Sequence, residues 1–274
     1  MWLIVILVAI LLAFSLAYLY WIVLLKSHMR HPIRCFLIHE VVPRPSLLSA
    51  SEIAVSKFLT FVDEVQAEGF TFVSPEHFLS SESSSEILLT FDDGFESFYE
   101  HVYPILKAKT IPALVFTVRD YTGKDAAWDY RNSGRKHLSP EQIDEMAASR
   151  LVFFGSHSAS HPDLTRLSEE KLAQEIKAVN LDLFECFSYP FGKFNPDVIA
   201  AVKKAGYYRA FCSLNGDPKL WGGRFAIPRI PLNRFDNRFT LRTKIMNGKL
   251  LWLEVVKARI IGMFAPFTHD WKGR

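Results

Sequence analysis

Cysteine is scarce in this chain: among 274 residues there are three, Cys35, Cys186 and Cys212. Odd in number and widely spaced, they build no disulfide framework and no CxxC metal pair, and they read as small core side chains. A strong charge of either sign is missing too. Lysine and arginine number 32 against 29 acids, a formal net charge of +3, which is too slight to argue for nucleic acid. No glycine-rich phosphate loop, zinc-finger spacing or RNA-binding signature occurs, so no nucleic-acid partner is expected. Charged residues make up 22%, an ordinary share that excludes a disordered chain. The length allows one large domain or two small ones.

What is present begins with an uncharged start. The first 25 residues, "MWLIVILVAILLAFSLAYLYWIVLL", hold no charged side chain. A helix of that length, at about 1.5 Å per residue, spans a hydrocarbon core of roughly 30 Å. A signal peptide would have a basic start and a shorter apolar core. Residues 1–25 are therefore expected to form an uncleaved transmembrane anchor, with Trp2, Tyr18, Tyr20 and Trp21 as interface residues. Residues 26–32 read as a basic juxtamembrane linker. Lys26, Arg30 and Arg34 follow the anchor, and the positive-inside rule would then keep the rest in the cytoplasm. The expected localisation is single-pass membrane.

From residue 33 to 240 strand-like and helix-like segments alternate. "IRCFLIHE", "FTFV", "ILLTF", "ALVFTV", "LVFFGS", "CFSY", "YRAFCS" and "FAIPRI" read as strands. Between them, "SASEIAVSKFLTFVDEVQAEGF" opens on capping serines and spaces Ile53, Phe58, Phe61, Val62 and Val65 as a helix does. "ESFYEHVYPILKAK", "LSEEKLAQEIKAVNLDLF" and "PDVIAAVKKAG" are further helices. "SPEQIDEMAAS" has Ser139 as N-cap and Pro140 at the first position. Repeated strand–helix units imply a parallel sheet, and about seven of them imply an α/β barrel. Residues 241–274 mix Lys and Arg with Leu, Trp, Ile and Phe. They read either as an amphipathic helix on a membrane surface or as a last helix packed on the barrel.

Each unusual polar cluster falls at the carboxyl end of a strand, where a parallel barrel gathers its chemistry. His39 follows "CFLI", and Asp92 and Asp93 follow "ILLTF". His157 and His161 lie in "GSHSASHPDL" after "LVFFGS", and "YPFG" follows "CFS". Adjacent carboxylates repel and call for a compensating cation or proton. Histidines at i, i+4 on a helical turn would face one point. With one carboxylate they make the set typical of a catalytic divalent metal.

"TFDDG", "SHSASHPDL" and "YPFG" resemble the three leading motifs of the polysaccharide deacetylases, the NodB-homology or carbohydrate esterase family 4 enzymes, over roughly residues 33 to 235. Trp128 and "LSPEQIDEM" resemble the segment that leads into the histidine motif. The resemblance implies a distorted (β/α) barrel and metal-dependent hydrolysis of an N-acetyl group on an amino sugar. It assigns Asp93, His157 and His161 to a divalent metal, zinc or else cobalt, nickel or iron. Asp92 would be the base acting on water. The backbone N–H of Phe191 would face the oxyanion, with Tyr189 and Trp128 near the substrate.

Two departures stand out. The family's third motif commonly begins with an arginine that pairs with the base, and here that place is Ser188. Arg229 in "IPRIPL" is a candidate replacement. The family's late histidine, the usual acid, has no counterpart, since His269 lies in the tail. His39 at an early strand end resembles the poly-N-acetylglucosamine deacetylases, in which an N-terminal histidine serves as acid. His77, His101 and His137 read as solvated or structural. The expected substrate is an N-acetylated amino sugar of a cell-envelope polymer. The alternatives are a polyprenyl-phosphate-linked sugar deacetylated (or deformylated) at the cytoplasmic leaflet, and a saccharide-binding barrel without catalysis. Most members of the family work outside the membrane, against the direction of the charge rule.

Overall fold

A computed structural model of the chain describes residues 2, 6, 12–16, 19, 20 and 32–257, leaving out 48, 82, 126–134, 178–184, 215, 217, 248–250 and 252. The strands are β1 (Cys35–Ile38), β2 (Glu40–Val42), β3 (Glu52–Ala54), β4 (Thr71–Phe72), β5 (Glu86–Phe91), β6 (Ala113–Thr117), β7 (Val152–Ser156), β8 (Cys186–Ser188), β9 (Arg209–Ser213) and β10 (Ile227–Pro231). Seven of them close a parallel barrel in the order β1-β10-β9-β8-β7-β6-β5. The ring shuts where β1 pairs with β5, Cys35 against Leu88 and Ile38 against Phe91. β4 adds outside β5, and β2 and β3 form a separate parallel pair. The expected (β/α) barrel is present.

Period-2 alternation divides each strand between two cores. Phe36, Ile38, Ile87, Leu89, Phe91, Val115, Phe154, Phe187 and Ile230 face outward into the larger core shared with the helices. Cys35, Leu88, Leu114, Phe116, Cys186 and Phe211 fill the barrel interior. That interior is narrow. A Cβ added to Gly155 would lie 2.7 Å from the Phe116 ring and 2.9 Å from the Cys186 carbonyl oxygen, so only glycine lets β7 pass the phenylalanine. All three cysteines are buried and free.

Helices cover the outside, and their sequences explain their ends. Val55–Ala67 buries Phe58, Phe61, Val62 and Val65, one face of a helix. Its N-cap is Ala54, without a side-chain bond, because the serines expected to cap it precede β3 instead. Pro140–Ala148 carries a full capping box between Ser139 and Gln142. The expected single helix "ESFYEHVYPILKAK" is divided into a π turn, Phe98–Val102, and an α-helix, Tyr103–Lys109. Pro104 is the cause: it has no N–H and crowds the carbonyl four residues back, so the turn before it widens.

The expectation of a single-pass membrane protein is corrected here. Among the described residues no helix is long and apolar enough to cross a membrane. Residues 2, 6, 12–16, 19 and 20 are helical, and the rest of the expected anchor and its linker lie outside the described residues. At the other end, the helix Arg238–Ile245 buries Leu241 and Ile245, and Leu251 and Val255 join the same core. The described part of the C-terminal segment therefore packs on the barrel, and residues 258–274 lie outside the described residues.

Candidate active site

The same alternation that fills the barrel places the polar groups. Stepping by two along each strand, Cys35 and Leu37 lead to His39, Leu88 and Thr90 to Asp92, and Phe153 and Gly155 to His157. Cys186 leads to Ser188 and Ile227 to Arg229. The interior thus carries an apolar lower layer and a polar layer at the carboxyl ends of the strands, where a parallel barrel holds its site. Tyr189 falls on the other face. It is fully buried, its ring packs on Phe187 and Phe194, and its hydroxyl donates to the Phe225 carbonyl at 2.8 Å. Its side chain is not placed to meet a substrate, which corrects that expectation. Trp128 lies outside the described residues.

Asp92 is held by a bidentate clamp. Arg229 Nη1 donates to Asp92 Oδ1 and Arg229 Nη2 to Asp92 Oδ2, both at 2.7 Å. Arg229 Nη2 also donates to Ser188 Oγ at 2.8 Å, and that hydroxyl donates to Asp92 Oδ2 at 3.1 Å. The remaining guanidinium donors reach Thr90 Oγ1 and the Cys212 carbonyl. Thr90 Oγ1 passes its own proton to the Phe36 carbonyl at 2.7 Å. The guanidinium is completely buried, and the Phe116 ring lies 5.4 Å from its central carbon. Burial alone would favour the neutral acid. The charge of Arg229 and the hydrogen bonds that its guanidinium donates outweigh it and hold the Asp92 carboxyl far below the usual carboxylate range. So the arginine missing before "YPFG" is replaced from β10, and the serine in its place completes the clamp.

Asp93 turns away from its neighbour. It has φ 71° and Gly94 has φ 64°, so the chain leaves β5 through two left-handed residues, and the Asp93 carboxylate joins the histidines instead of Arg229. Asp93 Oδ1 lies 3.6 Å from His157 Nε2 and 3.5 Å from His161 Nε2. One ligand atom from each of the three residues falls within 4.8 Å of the others. Tetrahedral zinc with bonds of about 2.0–2.1 Å sets its ligand atoms roughly 3.4 Å apart. One carboxylate and two imidazoles at these separations fit a divalent ion with room for water.

The histidine motif reaches this geometry without a helix. Residues 157–163 form no helical turn, contrary to the expectation from the i, i+4 spacing. Ser158 and His161 adopt positive φ, 67° and 62°, and these two reversals bring the rings together with centroids 4.8 Å apart. His161 N donates to Ser158 Oγ at 2.9 Å. Glu175 braces the turn, accepting at Oε2 from Ala159 N (3.1 Å) and Ser160 N (2.9 Å) and at Oε1 from Ser160 Oγ. His157 Nδ1 donates to the Ser188 carbonyl at 2.8 Å, which fixes the tautomer and leaves Nε2 for a ligand. Burial is the largest influence on His157 and lowers its pKa, which keeps the ring neutral as a ligand must be.

His39 stands beside this set. Part of its surface is open, yet the protein around the ring pushes its pKa down to about 4. The Asp92 carboxylate works in the opposite direction, and the charge of Arg229 reinforces the fall. Phe191, with φ 58°, stacks edge-on against His161 at 4.6 Å. His77 is exposed and pairs with Glu86. His137, by contrast, is buried and bonded to the Asp93 carbonyl.

Residues 80–210 match the family model for polysaccharide deacetylases. Over that span the chain is similar to the polysaccharide deacetylases. This family comprises hydrolases of carbon–nitrogen bonds other than peptide bonds. The matched region contains Asp92, Asp93, His157, His161 and Ser188, whereas His39 and Arg229 fall on either side of it. YxkH of Bacillus subtilis (strain 168), named provisionally for the same family, is 28% identical over 152 residues, covering 53% of this chain and 50% of that one. This chain thus spans about half the length of that relative. The poly-β-1,6-N-acetyl-D-glucosamine N-deacetylase of Staphylococcus aureus (strain MRSA252) is 25% identical over 216 residues, 72% of each chain. A solved de-N-acetylase from Aggregatibacter actinomycetemcomitans superposes with a TM-score of 0.64 at 19% identity, over 77% of this chain and 98% of that one, which establishes a shared fold.

Proposed function

We propose that this chain removes N-acetyl groups from a polymer of amino sugars, with a β-1,6-linked N-acetylglucosamine chain as the first substrate class. The observation that carries the reading is one polar layer holding Asp93, His157 and His161 within 4.8 Å of one another, beside an Asp92 clamped by Arg229. The staphylococcal relatives, aligned over most of the chain, carry the substrate class in their name.

Asp93, His157 and His161 would hold the divalent ion, with zinc the metal that suits this donor set best. Such an ion, when bound, lowers the pKa of water and polarises an acyl oxygen. The rest falls to the chain. Asp92, kept ionised by Arg229 and oriented by Ser188, is the base that receives the proton of the attacking water. The Phe191 N–H, presented by the left-handed turn after β8, is assigned to the oxygen on which charge develops. His39 is assigned to protonate the departing amine. Its lowered pKa means that the resting ring is neutral, so it must gain its proton during the cycle.

A base without a cationic partner would favour the binding-only alternative, and Arg229 supplies that partner to Asp92. No feature of the described site favours the lipid-linked alternative. The test is acetate release by the zinc-loaded full chain from β-1,6-linked N-acetylglucosamine oligomers, with β-1,4-linked oligomers for comparison. Release that is lost in Asp92→Asn and Asp93→Ala is expected. A zinc-loaded protein that binds these oligomers but frees no acetate would sink the reading.

A further inference from the structure

The turn that delivers Asp93 is costly on its own. A residue other than glycine held in the left-handed region is strained and persists only where its surroundings over-determine it. The next position of the turn admits only glycine, since Gly94 has φ 64° and a Cβ there would lie 2.9 Å from Thr117 Cγ2. The restraint comes from the segment 136–138, which runs antiparallel to 94–96. Leu138 N donates to the Gly94 carbonyl at 2.9 Å and Glu96 N to the Lys136 carbonyl at 2.8 Å. These bonds fix Gly94 and Glu96. The bond to Asp93 itself comes from a side chain: His137 Nδ1 lies 2.9 Å from the Asp93 carbonyl oxygen.

A carbonyl only accepts, so Nδ1 carries the proton and the tautomer is set. The ring has little freedom to leave. It is buried, stacks on Phe95 with centroids 4.9 Å apart and planes 30° apart, and meets Tyr121 at 5.7 Å. The main-chain N–H of His137 donates to the Lys124 carbonyl at 2.9 Å. A rigid donor thus grips the main chain of the residue whose carboxylate must meet two imidazoles at about 3.5 Å.

We propose that His137 is a positioning residue for the metal: its Nδ1–H bond to the Asp93 carbonyl holds the left-handed turn that brings the Asp93 carboxylate to His157 and His161. The inference rests on reading those three residues as the metal site. It separates two properties of one side chain, the ring that packs on Phe95 and the N–H that grips Asp93.

Two variants divide them. His137→Phe keeps a ring against Phe95 and loses the donor, while His137→Asn loses the ring and places an amide N–H near the position of Nδ1. In the full chain, zinc affinity is read by competition with a chromophoric chelator, and thermal unfolding is followed on the metal-free protein. His137→Phe should bind zinc about 10- to 100-fold more weakly, the usual cost of losing a partner that orients a ligand. His137→Asn should bind close to the wild type while melting earlier. Zinc affinity of the phenylalanine variant equal to wild type, or of the asparagine variant as poor as the phenylalanine one, overturns the proposal. Asp93→Ala is the reference. If it too binds zinc like wild type, the metal site itself is misread. If it loses zinc while His137→Phe does not, only the role of His137 falls.

Discussion

Replacing Arg229 by methionine tests the clamp on which the reading of Asp92 depends. The stem volume is nearly kept, but Asp92, 3% exposed, loses both charge-assisted bonds at 2.7 Å. Removing one partner of a buried pair costs about 3–5 kcal/mol, because the other charge is left uncompensated in a medium of low dielectric. For a domain of this size that corresponds to a fall in melting temperature of roughly 6–20 °C. The cost should belong mostly to the stranded carboxylate. In Arg229→Met with Asp92→Asn nothing charged is left behind, so much of the loss should return, with an interaction energy of about 0.5–3 kcal/mol in a double-mutant cycle. Urea unfolding of the four metal-free proteins measures the cycle. Additive losses, or a single Arg229→Met variant within about 1 kcal/mol of wild type, would show that Asp92 does not depend on this cation. Ser188 would then have to carry it alone.

Two further substitutions probe how the scaffold places the site. Gly155→Ala should overpack the barrel interior against Phe116 and the Cys186 carbonyl, with a cost of about 1–3 kcal/mol in denaturant unfolding; an unchanged midpoint would show that the interior yields more easily than its packing suggests. Glu175→Ala removes the carboxylate that accepts three hydrogen bonds from residues 159 and 160, and chelator competition should show zinc affinity reduced about tenfold or more. Wild-type affinity there would mean that Ser158 Oγ, bonded to His161 N, is enough to hold the turn.

The barrel and the candidate metal cluster were legible because their signals are local. Apolar runs ending in acids or histidines mark strand ends, and "TFDDG" and "SHSASHPDL" place Asp93, His157 and His161 by order alone. Orientation across a strand was also written in the sequence. Counting by twos from Cys186 puts Ser188 inside and Tyr189 outside, and that count separates the residue that meets Asp92 from the one that meets Phe225. Other features are set by tertiary contact and leave weaker traces. The i, i+4 spacing of the histidines suggests a helical turn, but two positive φ angles and Glu175, fourteen residues beyond His161, make a different one. The grip of His137 on Asp93 spans 44 positions, and nothing in "RKHLSP" announces it. Arg229 did leave a signal: a guanidinium in the middle of the apolar strand "AIPRIPL" has to find a buried acid.

The position of the two flanking residues ties the chemistry to closure of the barrel. The family match ends at residue 210 and begins at 80, so β1 and β10 lie wholly outside it, and they are neighbours in the ring: Phe36 pairs with Ile230 and Leu37 with Pro231. β1 carries the chain to His39 and β10 carries Arg229. Without those strands β5 and β9 would each have an open edge, and the same loss would remove the cation that holds Asp92 and the histidine assigned as acid. The three residues proposed to hold the metal would survive such a loss in sequence, since all lie in the loops after β5 and β7. The proposed ligands and Asp92 thus follow β5 and β7, while the counter-ion of Asp92 and the proposed acid come with β10 and β1, and the two sets meet only in the closed ring. The pairing of β1 with β10, Phe36 against Ile230, joins the strands of the ring that lie farthest apart in sequence, and such contacts are expected to form late because loop closure must precede the contacts that reward it. The proposed base would then acquire its counter-ion only as the barrel shuts.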